Sequence, residues 1–305
     1  MNHHYDGPIS EKVISAIQTL QGEKLVNLSE IRKAKLTAEN FQKSILSQEE
    51  FAQLDPLHAL YSYGQNQMSV LAEQLSALPM FSKISKLAVA AEDEYMPSGP
   101  PMSPLTMSYF SYWEFFDLSV GKKRESFGTV GISLYESLGV DIGLVNILRV
   151  MQQSYMGVFI LEDCRHRVFR FRELITNNSI EAIVPSGYVG KKGEVWFCRI
   201  LPPLQKILPM TYSIVLTTPY VVGMLERRGW SAKSAESLWK SYFDRHLKSG
   251  NEDDRKSAYR QLMKYGVETN YWNEYIFLGY CGYEKEVIFL AGVPDIPSSL
   301  PHADH

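Results

Sequence analysis

A chain of 305 residues with 45% apolar, 21% charged and 12% aromatic residues has the composition of a folded globular protein, which excludes the intrinsically disordered class. The net charge of −3 excludes a global basic field that would draw it to nucleic acid or anionic lipid. The longest apolar run near the end, 287–293, falls far short of the ~20 residues a membrane-spanning helix needs. The first residues carry no signal-peptide pattern, and Cys164, Cys198 and Cys281 without paired spacing read as free thiols, so a cytoplasmic protein without membrane contact is expected.

Residues 9–90 read as helices. Ser10 is placed to cap a helix carrying Val13, Ile14, Ile17 and Leu20 at helical spacing, Ser29 and Thr37 are further cap candidates, and Ser47-Gln-Glu-Glu50 matches a capping box. Residues 57–78 repeat the pattern with Leu60, Leu71, Leu75 and Leu78. Residues 96–104, with Pro97, Pro100, Pro101 and Pro104 around Gly99, cannot be helix, because a residue before proline is pushed to extended geometry. Helix is expected again over 105–118, and from about Asp141 to Met151, burying Leu144, Val145, Leu148 and Val150.

The texture then changes. Short β-prone runs at 157–161, 166–174, 180–185, 194–201 and 213–217 alternate with turn signals such as Asn177-Asn178, Pro185-Ser186-Gly187 and Gly190-Lys-Lys-Gly193. Such spacing suggests an antiparallel sheet or small barrel, open or closed, of about five strands. Helices are expected once more over 231–248, 255–265 and around Trp272, Tyr275, Ile276, Gly279 and Tyr280, before a proline-containing extended tail. The expected fold class is α+β, a mostly helical chain with a central small antiparallel β-sheet or barrel module. Its regions are 1–90 (helical), 91–155 (proline-rich turn and aromatic helices), 156–222 (β module) and 223–305 (C-terminal helices and tail), expected to form one integrated domain.

Three places carry candidate chemistry. Glu92, Asp93 and Glu94 are consecutive carboxylates that could hold a divalent cation or act as acid and base, or could simply end a helix before a rigid loop. Tyr95, Tyr109, Tyr112 and Trp113 could line a pocket or an interface; the helix carrying Tyr109, Phe110, Tyr112, Trp113, Phe115 and Phe116 has aromatics on every face, which also fits core packing. Arg165, His166, Arg167, Arg170 and Arg172 form the one basic run, which Lys191, Lys192 and Arg199 could extend. Read as one strand, it puts His166, Val168, Arg170 and Arg172 on one face and Arg165, Arg167, Phe169 and Phe171 on the other. Arginines beside aromatics suit a single-stranded nucleic-acid platform, whereas interleaved Glu162, Asp163, Glu173, Glu181 and Glu194 suit a solvated face paired with carboxylates, the Glu92 to Glu94 run among them. Metal-binding, Walker and nucleophile-elbow patterns are not found in the sequence.

Three segments together resemble a group of bacterial proteins of similar length that share a proline-rich acidic motif. They are Ala-Glu-Asp-Glu-Tyr-Met-Pro-Ser-Gly-Pro-Pro-Met-Ser-Pro-Leu-Thr at 91–106, Val-Pro-Ser-Gly-Tyr-Val-Gly at 184–190 with Glu194-Val-Trp-Phe, and Phe-Leu-Ala-Gly-Val-Pro-Asp at 289–295. That group has no assigned activity, so the resemblance implies a bacterial cytoplasmic protein and transfers no catalytic residue. The leading expectation is a binding or scaffold protein without catalytic activity or cofactor, engaging a protein partner or a second copy of itself. The rivals are a divalent-metal-dependent hydrolase or nuclease at Glu92, Asp93 and Glu94, and RNA or single-stranded nucleic-acid binding through 165–172, which the acidic whole disfavours.

Overall fold

The computed structural model describes residues 7–22, 53–96, 105–227, 229–232, 235–247, 251–265, 279–284 and 286–292. The helices among them are α1 (Pro8–Gly22), α2 (Pro56–Ser76), α3 (Ser82–Tyr95), α4 (Met107–Phe116), α5 (Phe127–Ser137), α6 (Ile142–Gln153), α7 (Ala235–His246) and α8 (Glu252–Tyr265). The strands are β1 (Met156–Arg165), β2 (Val168–Glu173), β3 (Ser179–Ile183), β4 (Val195–Leu201), β5 (Ser213–Val215), β6 (Tyr220–Glu226), β7 (Gly229–Ser231), β8 (Gly279–Glu284) and β9 (Val287–Ala291). The fold class is α+β. The chain divides into two compact units, Met1–Lys86 with Glu114–Gln152, and Leu87–Trp113 with Gln153–His305.

The first unit is helical. In α2, Pro56 takes the first position and the Asp55 carboxylate accepts from the Leu57 N–H at 2.9 Å, so an N–H that has no partner inside the helix is satisfied by a side chain. Ser10 does not cap α1: the helix already begins at Pro8, and Ser10 is buried in its first turn. The Ile9 and Ser10 N–H groups donate instead to the Glu125 carboxylate at 3.0 and 2.8 Å. Asp141 does cap α6, accepting from the Leu144 N–H at 3.1 Å, and Ile147 and Met151 are buried where Val150 is only partly so.

Helix α5 was not foreseen. Ser126 and Thr129 cap it reciprocally, and every residue from Phe127 to Leu134 is buried. A helix buried all round has no apolar stripe for the sequence to announce. Gly128 permits a close approach, since a Cβ there would stand 2.3 Å from Gln152 Oε1.

The second unit contains the β module. Strand β1 is long enough to serve two neighbours: Met156 to Ile160 pair with β4, and Phe159 to Arg165 pair with β2. Strand β2 pairs antiparallel with β3, β3 runs parallel to β5, and β5 pairs antiparallel with β4. The ring β1–β2–β3–β5–β4–β1 is therefore a closed five-stranded barrel, with one parallel pair inside the sheet expected to be antiparallel. Its order and directions are those of an OB-type Greek-key barrel. Phe159, Leu161, Phe169, Phe171, Ala182, Trp196, Cys198 and Val215 fill it.

The sheet does not stop at residue 222. Beyond a bend where Thr217 sits at φ 51°, β6 continues along β4, pairs parallel with β9 and antiparallel with β7, and β8 lies outside β9. Gly279 and Tyr280 thus lie in a strand, where helical spacing led us to expect a helix, and Ser231 ends β7 rather than opening α7. The rest of that expected helix, 266–278, and the expected tail from 293 lie outside the described residues, as do the proposed caps Ser29, Thr37 and Ser47.

Candidate functional site

The basic run does not form one strand. It reverses at His166 and Arg167, so Arg165 ends β1 opposite Val168, the first residue of β2. Within β2 the expected alternation holds: Phe169 and Phe171 point into the barrel, with the Phe171 ring 5.1 Å from Trp196, while Arg170 and Arg172 stay partly exposed. His166 sits at φ 62°, a turn position that glycine usually fills.

Beside this hairpin lies an open groove of about 570 Å³. Its walls are β1 from Ile160 to Asp163 with Arg165, the β2 arginines Arg170 and Arg172, Glu236 of α7, and Lys192 and Gly193 of the β3–β4 connection. Arg172 is the fixed element, its Nε donating to Glu162 at 3.0 Å and its Nη2 to Glu236 at 2.7 Å. Those hydrogen bonds, Glu236 first, hold its guanidinium pKa above the usual value. Arg165 Nε donates to Asp163 at 2.7 Å, and this bond holds the Asp163 carboxyl below its usual range. Arg170 makes one looser pair, 3.7 Å to Glu181, and Lys192 makes none among the described residues.

The β3–β4 connection is pinned, which fixes Lys192 over the groove. The buried Glu194 carboxylate accepts from the Tyr188 hydroxyl at 3.2 Å and from Trp196 Nε1 at 3.1 Å. On the backbone, Gly193 N–H donates to Leu161 at 2.7 Å and Leu161 N–H to Glu194 at 2.9 Å. Gly190 has φ 68°, and a Cβ there would meet Trp196 at 2.7 Å and Leu161 at 2.8 Å. Sequence reasoning noticed the 184–190 segment and Glu194-Val-Trp as a pattern but gave Tyr188, Glu194 and Trp196 no part in placing a lysine.

The other candidates fall elsewhere. Glu92 and Asp93 are exposed on the last turn of α3 and do not line the groove; the Glu94 and Tyr95 side chains lie outside the described residues. Among the described residues, the carboxylates that pair with the hairpin arginines are Glu162, Asp163, Glu181 and Glu236. Among the described residues no group of three His, Cys, Asp or Glu side chains could hold a metal ion. Tyr109, Tyr112 and Trp113 are core rather than pocket: Tyr109 donates to the Leu216 carbonyl at 3.1 Å, and Arg199 lies 5.4 Å over the Tyr112 ring. Arg199 therefore does not extend the basic surface; it is buried and donates to Ser154 Oγ at 3.2 Å. Lys191 is exposed and does not line the groove.

Two ionisable groups near the barrel bear on reactivity. Partial desolvation and then Asp163 push the Cys164 thiol up, the opposite of what an activated nucleophile requires. Glu173, at the inner end of β2, accepts from the Tyr155 hydroxyl at 3.0 Å and from the Thr176 hydroxyl, yet burial still pushes its carboxyl up. The folded protein thus holds that proton more tightly than the unfolded chain. Its contribution to stability is fully present below the ordinary glutamate range and is lost as pH rises through the raised folded value. Glu173→Gln is expected to flatten this fall, read as unfolding free energy in urea across pH 4 to 8; an unchanged slope would show that Glu173 is not its source.

No family model matches the chain, and no curated protein or solved structure matches it. Among the described residues no helix is long and apolar enough to cross a membrane.

Proposed function

We propose that the protein is a non-catalytic binding protein of the bacterial cytoplasm whose partner surface is the groove beside the β1–β2 hairpin. The bacterial setting rests on the resemblance of the three sequence segments. The binding reading rests on one observation: Arg165, Arg170, Arg172 and Lys192 converge with Glu162, Asp163 and Glu236 on one open groove. Fold alone would not carry it, since OB-type barrels serve many ends. Exposed ion pairs are each worth about 0–1 kcal/mol, so the groove can exchange internal partners for those of a ligand at little net cost. Arg172, held by two carboxylates, presents a pre-ordered wall, and Arg170 and Lys192 supply cations that are weakly engaged or, among the described residues, unengaged.

The test compares retention of lysate proteins by the wild type and by an Arg170→Glu, Lys192→Glu double variant. Neither side chain contributes to the barrel core, so the variant should keep the wild-type urea midpoint. Partners retained by the wild type and lost by the variant are the expected result. Identical retention by both would remove the groove as the partner surface.

A further inference from the structure

Strand β1 outruns its partner on one side. Its pairing with β4 ends at Ile160, and Leu161 is bonded to Gly193 and Glu194. Among the described residues no strand covers the edge of Glu162 to Arg165 that faces away from β2. The groove takes Glu162, Asp163 and Arg165 of this stretch into its lining, together with Lys192 and Gly193. In a two-residue hairpin the residues flanking the turn, here Arg165 and Val168, form a hydrogen-bonded pair, so the next residue, Cys164, turns its backbone groups away from β2. The Cys164 N–H donates to its own neighbour, Asp163 Oδ1, at 3.0 Å. A charged side chain on an edge is one way proteins blunt unwanted pairing. Here it is an exposed carboxylate already shared with Arg165, and it is displaceable.

We propose that this edge accepts an extended acidic segment of a partner protein, added as a strand alongside Glu162 to Arg165, with its carboxylates engaging Arg165, Arg170 and Lys192. The inference rests on the groove being the partner surface, as argued above. An edge offers backbone groups at strand spacing, which selects an extended chain. Alternate side chains of such a chain face one way, so acidic residues at every second position meet the cations together. Lys192, with no carboxylate partner among the described residues, and Lys191, His166 and Arg167, exposed close by in sequence, favour an anionic ligand on a protein whose overall charge is −3. Single-stranded nucleic acid fits less well. Among the described residues no aromatic side chain lines the groove, and Phe169 and Phe171 are committed to the core, so none of these offers bases a stacking surface.

The experiment is fluorescence anisotropy of the full chain at low salt with three probes. They are a short labelled peptide of alternating Glu and Thr, the same peptide N-methylated at alternate amides, and an oligo-thymidine of similar length. The alternating peptide should bind, should weaken about tenfold on N-methylation and should lose a similar factor with Arg170→Glu, Lys192→Glu. If the N-methylated peptide binds equally well, strand addition is wrong while the groove stands. If oligo-thymidine binds more tightly than the peptide, the ligand class is wrong. If no probe binds, or if binding ignores the groove substitutions, both this inference and the reading beneath it fail.

Discussion

Trp196→Ala should lower the unfolding free energy by about 3–5 kcal/mol, the range for truncating a large buried aromatic. Trp196 is fully buried, with its ring 5.1 Å from Phe171, 6.2 Å from Phe169 and 5.4 Å from Tyr188. Removing it opens a cavity in the middle of the barrel, where β1, β2 and β4 share one core and cannot collapse independently. It also takes the indole N–H from the buried Glu194 carboxylate, which then keeps only its Tyr188 donor among the side-chain bonds described. Trp196→Phe separates the two effects, because it keeps most of the packing and loses the donor; about 1–3 kcal/mol is expected. Urea unfolding of both variants reads this directly. Under the proposed function, the same substitutions should also lower partner retention, since Glu194 and Trp196 hold the connection that carries Lys192. A loss under about 1 kcal/mol for Trp196→Ala would mean that the barrel is not packed as described.

The sequence made the barrel strands legible as β-prone runs set between turn signals such as Asn177-Asn178 and Pro185-Ser186-Gly187, although β4 and most of β1 are buried continuously rather than on alternate positions. The alternation of Arg170 and Arg172 with Phe169 and Phe171 is the clearest case. It also marked α4, whose aromatics could be core, pocket or interface from the sequence and are buried in the structure. It did not show where the hairpin turns, because His166 and Arg167 are not turn-forming residues and His166 is held at positive φ by its context. Strands β8 and β9 were hidden for a different reason. Their register depends on β6, with which β9 pairs in parallel across a separation of more than sixty residues, and a short apolar run such as 287–291 does not distinguish strand from buried helix. The groove itself was half legible. Its basic side was a visible run, but Glu162 of β1 and Glu236 of α7 meet on Arg172, and no local pattern brings Arg172 and Glu236, 64 positions apart, together. Glu92, Asp93 and Glu94 drew attention by composition alone, and composition does not place a side chain in a site.

The same limit governs α1, where Glu125→Ala should cost about 2–4 kcal/mol, since buried N–H groups left without an acceptor cost roughly 1–3 kcal/mol each and the helix end can partly recover by fraying. Gly7 is the cap residue of α1, its carbonyl accepting the Glu11 N–H at 2.9 Å, but it has no side chain to cap with. Glu125 takes that role from 115 residues away, accepting from the Ser10 N–H at 2.8 Å and the Ser10 hydroxyl at 3.1 Å. Its position is set by the small hairpin in which Val120 and Glu125 exchange backbone hydrogen bonds at 2.9 and 3.0 Å. The carboxylate reaches α1 only because residue 7 is glycine: a Cβ there would stand 2.3 Å from Glu125 Cδ. Gly7→Ala alone should therefore destabilise by about 1–3 kcal/mol through overpacking. In a Glu125→Ala background the clashing group is gone, so Gly7→Ala should add little. Urea unfolding of the two single variants and the double variant closes the cycle, with a coupling of about 1 kcal/mol or more expected. Simple additivity would show that Glu125 does not sit against Gly7, and that α1 takes its cap from another group.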